Sequence, residues 1–262
     1  MPELPDVEVY KKAADKSIGS KVEDIVVKDE KFIDATKSSL GRYIKNQEIK
    51  KTRRRGKYLF IEMDNKYSLV LHFGMTGLLS YSDTDSEVSS YAKCIFELNN
   101  KHKLVYVSKR KLGKVEITNN TEEYIKEQDL GPDALGISQT EFLSKMNESR
   151  ASIKSFFMDQ STLCGIGNVY ADEILFHACI HPRQKANKLT EKQGKELYKQ
   201  MDKVLKTAIK KEADVSRMPD DFLLPNRKDG KKCPRGKGKI KKIKISGRAG
   251  YYCPDCQKKS DS

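Results

Sequence analysis

Nowhere in its 262 residues does the chain hold an apolar run near the roughly 18 residues of a membrane span. Its first residues also lack the basic-then-apolar order of a secretory signal. These two absences predict a soluble protein of the cell interior with no membrane partner. There is no internal repeat, which excludes a solenoid. Cysteine is scarce: there are six, three of them crowded after position 232, which suits a metal site better than a disulfide framework. Histidine stops at His181, so no imidazole follows to serve such a site. Acid is what the C-terminus has least of. Residues 226–262 carry thirteen Lys or Arg against three Asp, which is +10 of the formal +14. So uneven a charge implies a polyanionic partner, nucleic acid first and acidic lipid second.

What is present divides the chain by texture. A helix is expected from about Glu3 to Ser17, with Val7, Tyr10, Ala14 and Ile18 near helical spacing. Short β-rich runs follow at 22–27, 58–62, 68–72, 94–98 and 104–107, predicting a sandwich or barrel with that helix laid across it. Past Gly131 the pattern becomes helical. Ser138-Gln-Thr-Glu141 and Thr190-Glu-Lys-Gln193 read as capping boxes, and helical stretches are expected at 151–158 and 168–178. A polar loop over 220–238 leads to Ile240–Ile245, a turn at 247–250 and Tyr251-Tyr-Cys253. This is a β-hairpin with one cationic face. The fold class is α+β multidomain, in three parts: a β-sandwich with an N-terminal helix (1–132), a helical domain (133–216) and a hairpin with a basic tail (217–262).

Four segments carry chemistry. Met1 before Pro2 is readily clipped, which leaves Pro2 with a secondary amine beside the carboxylate of Glu3. An α-amine has a pKa of about 8 against about 10.4 for lysine, so more of it is a free nucleophile at neutral pH. The plainer reading is a helix start with Pro and acid in the first turn. Gly165-Ile-Gly-Asn168 is a phosphate-binding helix start or an ordinary corner capped by Asn168. Arg53-Arg-Arg-Gly-Lys57 is a solvated cluster or a phosphate clamp with Lys57 set by the following strand. Cys253-Pro-Asp-Cys256 is a metal knuckle, but its upstream partner reads Cys233-Pro-Arg-Gly236. The fourth ligand is missing at Gly236, Asp229 and Asp255 are poor substitutes, and metallated and metal-free hairpins both stay open.

Pro2-Glu3-Leu4-Pro5, Arg53–Lys57, His72-Phe-Gly-Met75-Thr-Gly, Gly165–Asn168 and Gly247-Arg248 before the knuckle occur in one fixed order. That order resembles the bacterial-type formamidopyrimidine-DNA glycosylase / endonuclease VIII family, from Pro2 to Gln257. The resemblance implies a helix–two-turn–helix domain and a zinc-finger hairpin, with damaged DNA in the cleft beside the sandwich. It implies that Pro2 attacks C1′ of a flipped nucleotide and forms an iminium while Glu3 shuttles protons. The abasic site is then cut by β- and δ-elimination. Lys57 and Arg248 join the catalytic set. His72, Met75, Arg110, Leu112, Arg150 and Asn168 are the DNA-binding set, with Met75, Arg110 and Leu112 as wedges into the duplex. One structural zinc ion would sit on Cys233, Cys253 and Cys256. The enzyme would act as a monomer on double-stranded DNA bearing damaged bases or abasic sites, in the cytoplasm at the nucleoid. A catalytically silent DNA-damage binder is the alternative.

Three departures accompany the likeness. Leu112 stands where Phe is usual, Tyr91-Ala-Lys93 replaces a His-rich strand start, and the stretch before Cys233 is short. Oxidised purines and oxidised pyrimidines both stay open as lesions.

Overall fold

The structure, a computed structural model, describes residues 1–29, 37–236 and 238–259. Lys237, in the expected 220–238 loop, lies outside the described residues. Two compact units divide at Gln128 and Asp129.

In the first unit, helix α1 (Leu4–Asp15) precedes strand β1 (Val22–Val27) and a short helix α2 (Lys37–Tyr43). Seven further strands follow: β2 (Ile49–Arg55), β3 (Tyr58–Met63), β4 (Ser68–His72), β5 (Gly77–Asp83), β6 (Ala92–Leu98), β7 (His102–Ser108) and β8 (Lys114–Thr118). Helix α3 (Thr121–Glu127) closes the unit. The strands form two antiparallel four-stranded sheets, ordered β1-β6-β7-β5 and β2-β3-β4-β8. Alternate residues of both meet in one core: Leu59, Ile61, Leu69 and Leu71 from one, Phe96, Leu98, Leu104 and Tyr106 from the other, with Val7 and Ala14 of α1. The outer faces are covered at the inner strands and open at the edge strands. Phe60 packs edge-on against Tyr124 of α3, and Ala92, Ile95, Val105 and Val107 form a satellite cluster. Two-sided burial makes the inner strands β3, β4, β6 and β7 read as nearly continuous apolar runs.

The second unit holds α4 (Gln139–Glu148), α5 (Ile153–Met158), α6 (Asn168–His177) and α7 (Glu191–Lys210), then the hairpin β9 (Lys241–Ile245) and β10 (Arg248–Tyr252). Thr190 and Gln193 make the full capping box of α7, whereas Ser138 supplies only its acceptor, to Glu141 N at 3.2 Å. Among the described residues, no helix is long and apolar enough to cross a membrane.

Three local expectations are corrected. Arg53–Lys57 does precede a strand, β3, but Arg53–Arg55 are themselves the end of strand β2, so only Gly56 and Lys57 form the turn. The cap of α6 is Gly167, with Asn168 as the first helical residue. The hairpin turns at Ser246 and Gly247, both left-handed (φ 46° and 76°), so Arg248 opens β10 instead of lying in a longer turn. Two consecutive left-handed residues match the right-handed twist of the flanking strands, so a two-residue turn suffices.

Candidate nucleic-acid interface

In the first unit the N-terminus is tightly held. Pro2 and Glu3 are buried, while Met1 is 46% exposed. Asp6 reaches back to accept from Glu3 N at 2.8 Å, so the first turn of α1 fixes the backbone beside Pro2. Burial pushes the Asp6 carboxyl up to about 6, with the nearby Glu3 charge adding to it.

One turn along α1, Glu8 Oε1 accepts from Arg54 Nε at 2.6 Å, and Arg54 also donates to Gly56 O at 3.1 Å. The helix that carries Pro2 is thereby tied to the turn that carries Lys57. Arg53 pairs with Glu122. Within the basic run, then, Arg53 and Arg54 hold the fold together, and Lys57 occupies the turn. Arg54, Glu8 and Asp6 were missed by sequence reasoning. The Glu3-x-x-Asp6 spacing is the signal that could have found the last of them.

His72 is paired with Tyr58 across the sheet, the two rings 4.7 Å apart. Burial, with the Lys57 and Lys114 charges beside it, pushes His72 down to about 4. His72 is therefore neutral at physiological pH and offers a donor or acceptor, not a charge.

Past His72 the chain turns at 73–77, with Gly77 N donating to Phe73 O at 2.8 Å, and places Met75 at the apex, 39% exposed. A second loop after β7 carries Arg110 and Leu112, the latter 51% exposed. These two loops brace each other. Arg110 N donates to Thr76 Oγ1 at 2.9 Å, and a Cβ on Gly74 would stand 2.1 Å from Leu112 O. Met75 and Leu112 are thus two large apolar side chains held outward on loops that brace each other.

In the second unit the corner between α5 and α6 is built by two residues. Asp159 accepts from Ser161 N at 3.1 Å and Thr162 Oγ1 at 2.8 Å. Gln160 bridges Gly165 N and Ile166 O, at 3.1 and 2.8 Å. Asn168 then leads α6, and its Nδ2 donates to Ala249 O at 2.9 Å, next to Arg248. Arg248 itself is exposed. Arg150 is exposed on the loop before α5, and Ser155 of α5 bonds Ser246 of the hairpin turn, Oγ to Oγ at 2.8 Å.

The rest of α6 docks the finger. Asp172 Oδ2 accepts from Tyr251 N at 3.0 Å and from Arg227 Nη2 at 2.7 Å, and Arg227 lies over the Tyr251 ring. Glu173 accepts from Leu223 N at 2.9 Å and Leu224 N at 2.7 Å, while Arg235 donates to Phe176 O and His177 O at the helix end. Phe176, Leu223, Cys233, Ile240 and Cys253 form the small core beneath.

The Sγ atoms of Cys233, Cys253 and Cys256 all lie within 4.8 Å of one another, with Cys233 and Cys256 at 3.6 Å. Zinc bound at about 2.3 Å spaces its sulfurs about 3.8 Å apart, so the three thiols fit a zinc tetrahedron. Zinc there would clamp the two knuckles to each other and so stiffen the hairpin that carries Arg248.

The predicted residues thus fall into two groups, Pro2, Glu3, Lys57, His72, Met75, Arg110 and Leu112 in one unit and Arg150, Asn168, Arg248 and the cysteines in the other. Three family models match in order: the formamidopyrimidine-DNA glycosylase N-terminal domain over residues 1–115, its H2TH domain over 130–220, and a zinc finger found in FPG and IleRS over 230–259. A formamidopyrimidine-DNA glycosylase of Histophilus somni is 34% identical, covering 99% of this chain and 100% of the relative. A Lactococcus lactis Fpg solved with DNA containing an abasic site superimposes with a TM-score of 0.88 at 28% identity, over 98% of this chain and all of the other. The same species' protein, solved with DNA containing an oxidized pyrimidine, gives 0.87 at 27% with the same coverage.

Proposed function

The chain belongs to the formamidopyrimidine-DNA glycosylase family, and on that premise we propose that it is a base-excision repair enzyme that removes oxidised bases from duplex DNA and cleaves the resulting abasic site. The observation that carries this reading is the buried Pro2-Glu3 start of α1, tied through Glu8 and Arg54 to the Lys57 turn. A protein that only bound DNA has no physical need of an N-terminal secondary amine held beside an acid.

With Met1 removed, the Pro2 amine attacks C1′ of the everted nucleotide as the base departs, and the sugar ring opens to an iminium on Pro2. Glu3 supplies the proton that the opening ring oxygen takes up. The iminium acidifies C2′, so loss of a proton there expels the 3′ phosphate, and a second elimination expels the 5′ phosphate. Lys57 and neutral His72 engage phosphates of the damaged strand. Met75, Arg110 and Leu112 fill the space left by the everted base, offsetting part of an unstacking cost of a few kcal/mol. Arg248 and the first turn of α6 hold the lesion's phosphate, Arg150 a neighbouring one, and the lysines of the hairpin add sequence-neutral, salt-sensitive affinity. The enzyme works as a monomer in the cytoplasm, at the nucleoid.

Borohydride reduction tests this. Met-processed protein mixed with abasic-site duplex and reduced should yield a covalent protein–DNA adduct. A variant with one residue added before Pro2 should yield none. Absence of the adduct from processed protein that still binds the duplex would instead favour the catalytically silent binder.

A further inference from the structure

The upstream knuckle has kept its shape without its sulfur. Gly236 N still donates back to Cys233 O at 3.5 Å, as the turn of a Cys-x-x-Cys knuckle does. A Cβ added at Gly236 would stand 3.6 Å from Cys256 Sγ and 3.9 Å from Cys233 Sγ, both ordinary contact distances. The fourth corner of the sulfur cluster is therefore open space facing the sulfurs, and Gly236 is exposed to solvent.

Nothing else among the described residues turns toward that corner as a ligand. The Asp255 carboxylate lies against Gly238, where an added Cβ would meet Oδ2 at 2.3 Å. Asp229 Oδ1 is engaged by Lys242 N at 2.7 Å, at the base of the hairpin. Among the described residues neither acid joins the group of three cysteines, and histidine ends at His181.

We propose that this finger holds zinc through Cys233, Cys253 and Cys256 alone and leaves the fourth coordination position, at the Gly236 corner, to a small thiol from solution. The proposal rests on the zinc-finger assignment and is independent of the glycosylase chemistry. Three thiolates on Zn²⁺ carry a net charge of −1, and zinc completes a tetrahedron with whatever donor reaches it. Water fills the position at rest. A thiol binds as its S–H proton passes to buffer, a Zn–S bond forming as the Zn–O bond to water breaks, with no change of oxidation state.

Cobalt reports the coordination directly. The full-length protein loaded with Co²⁺ is titrated with 2-mercaptoethanol while the sulfur-to-cobalt absorption is followed, beside Gly236→Cys, whose new side chain meets no clash. The expected result is one cobalt per chain and a band that grows by about a third as three sulfur ligands become four. Gly236→Cys should start at the higher intensity and ignore the thiol. A band in the unsubstituted protein that ignores the thiol would overturn the proposal. So would failure to bind cobalt, or release of the metal by the thiol.

Discussion

Lys154 and Asp172 meet at 2.6 Å, and neither side chain is exposed to solvent. The contact is a close ion pair between α5 and α6, the helix that docks the finger. Asp172 also carries Tyr251 N and Arg227, so one carboxylate joins α5, the loop before the finger and strand β10. Gly250 makes the approach possible, since a Cβ there would stand 2.1 Å from Lys154 Nζ.

Asp172→Asn should cost about 3–5 kcal/mol of stability, because it leaves Lys154 buried against a neutral partner. Urea unfolding measures it. A loss under about 1 kcal/mol would show that the pair is not what orders this region. Gly250→Ala should lower stability by the smaller amount typical of overpacking, about 1–3 kcal/mol.

Arg54 and Glu8 link the helix that follows Pro2 to the Lys57 turn, with Arg54 6% exposed at its side chain. Glu8→Gln should slow adduct formation by about tenfold while costing about 1–2 kcal/mol of stability. Rates of borohydride trapping at saturating DNA give the first figure. An unchanged rate would mean that the ion pair has only a folding role.

Acid should act on stability through two opposed groups. His72, depressed to about 4 in the fold from an ordinary 6.5, binds protons more readily when unfolded. Its contribution is complete above pH 6.5 and is lost as pH falls toward 4, about 3 kcal/mol in all. Asp6, raised to about 6 from 3.8, binds protons more readily when folded, so its burial penalty fades as pH falls from 6 to 3.8. The two nearly cancel. Asp6→Asn should therefore make the stability profile fall more steeply between pH 6.5 and 4, and His72→Gln should make it rise. Unfolding curves of both variants at pH 7, 5.5 and 4 that stay parallel to the parent would contradict these assignments.

Gly74 has φ 54° and abuts Leu112 O, so Gly74→Ala should force the two wedge loops apart. Base eversion, followed by 2-aminopurine fluorescence opposite the lesion, should fall with it. Leu112→Phe, which restores a stacking ring, should instead strengthen the signal. No response to either change would remove the wedge role from these loops.

Arg248→Ala should reduce strand cleavage far more than duplex affinity, because the neighbouring lysines still supply nonspecific attraction. Cleavage rates set against gel-shift affinities separate the two effects. Equal losses would make Arg248 one more backbone contact.

Strands with short apolar runs were legible in the sequence, and β1 and β4 lie at the expected residues. Strand β2 was hidden because Arg53, Arg54 and Arg55 mask it with charge, and the ion pairs that absorb the charge of Arg53 and Arg54 are made only in the fold. Strands β5 and β8 were hidden too, as were α2 and α3, short segments rich in polar residues whose burial comes only from partners distant in the chain.

Sequence by itself determined the residue types and their order: Pro2 beside Glu3, a basic finger, three cysteines and a glycine in place of a fourth. Those features are local, and local chemistry is readable from neighbours in the chain. Only the tertiary structure decided which charges serve the fold and which are left for a ligand. It turned Asn168 toward Ala249, engaged Asp172 with Lys154 and Arg227, and aimed the open corner at Gly236 toward the sulfurs. The physical reason is that an ion pair or a coordination corner is a relation between side chains far apart in sequence, and no single segment contains it.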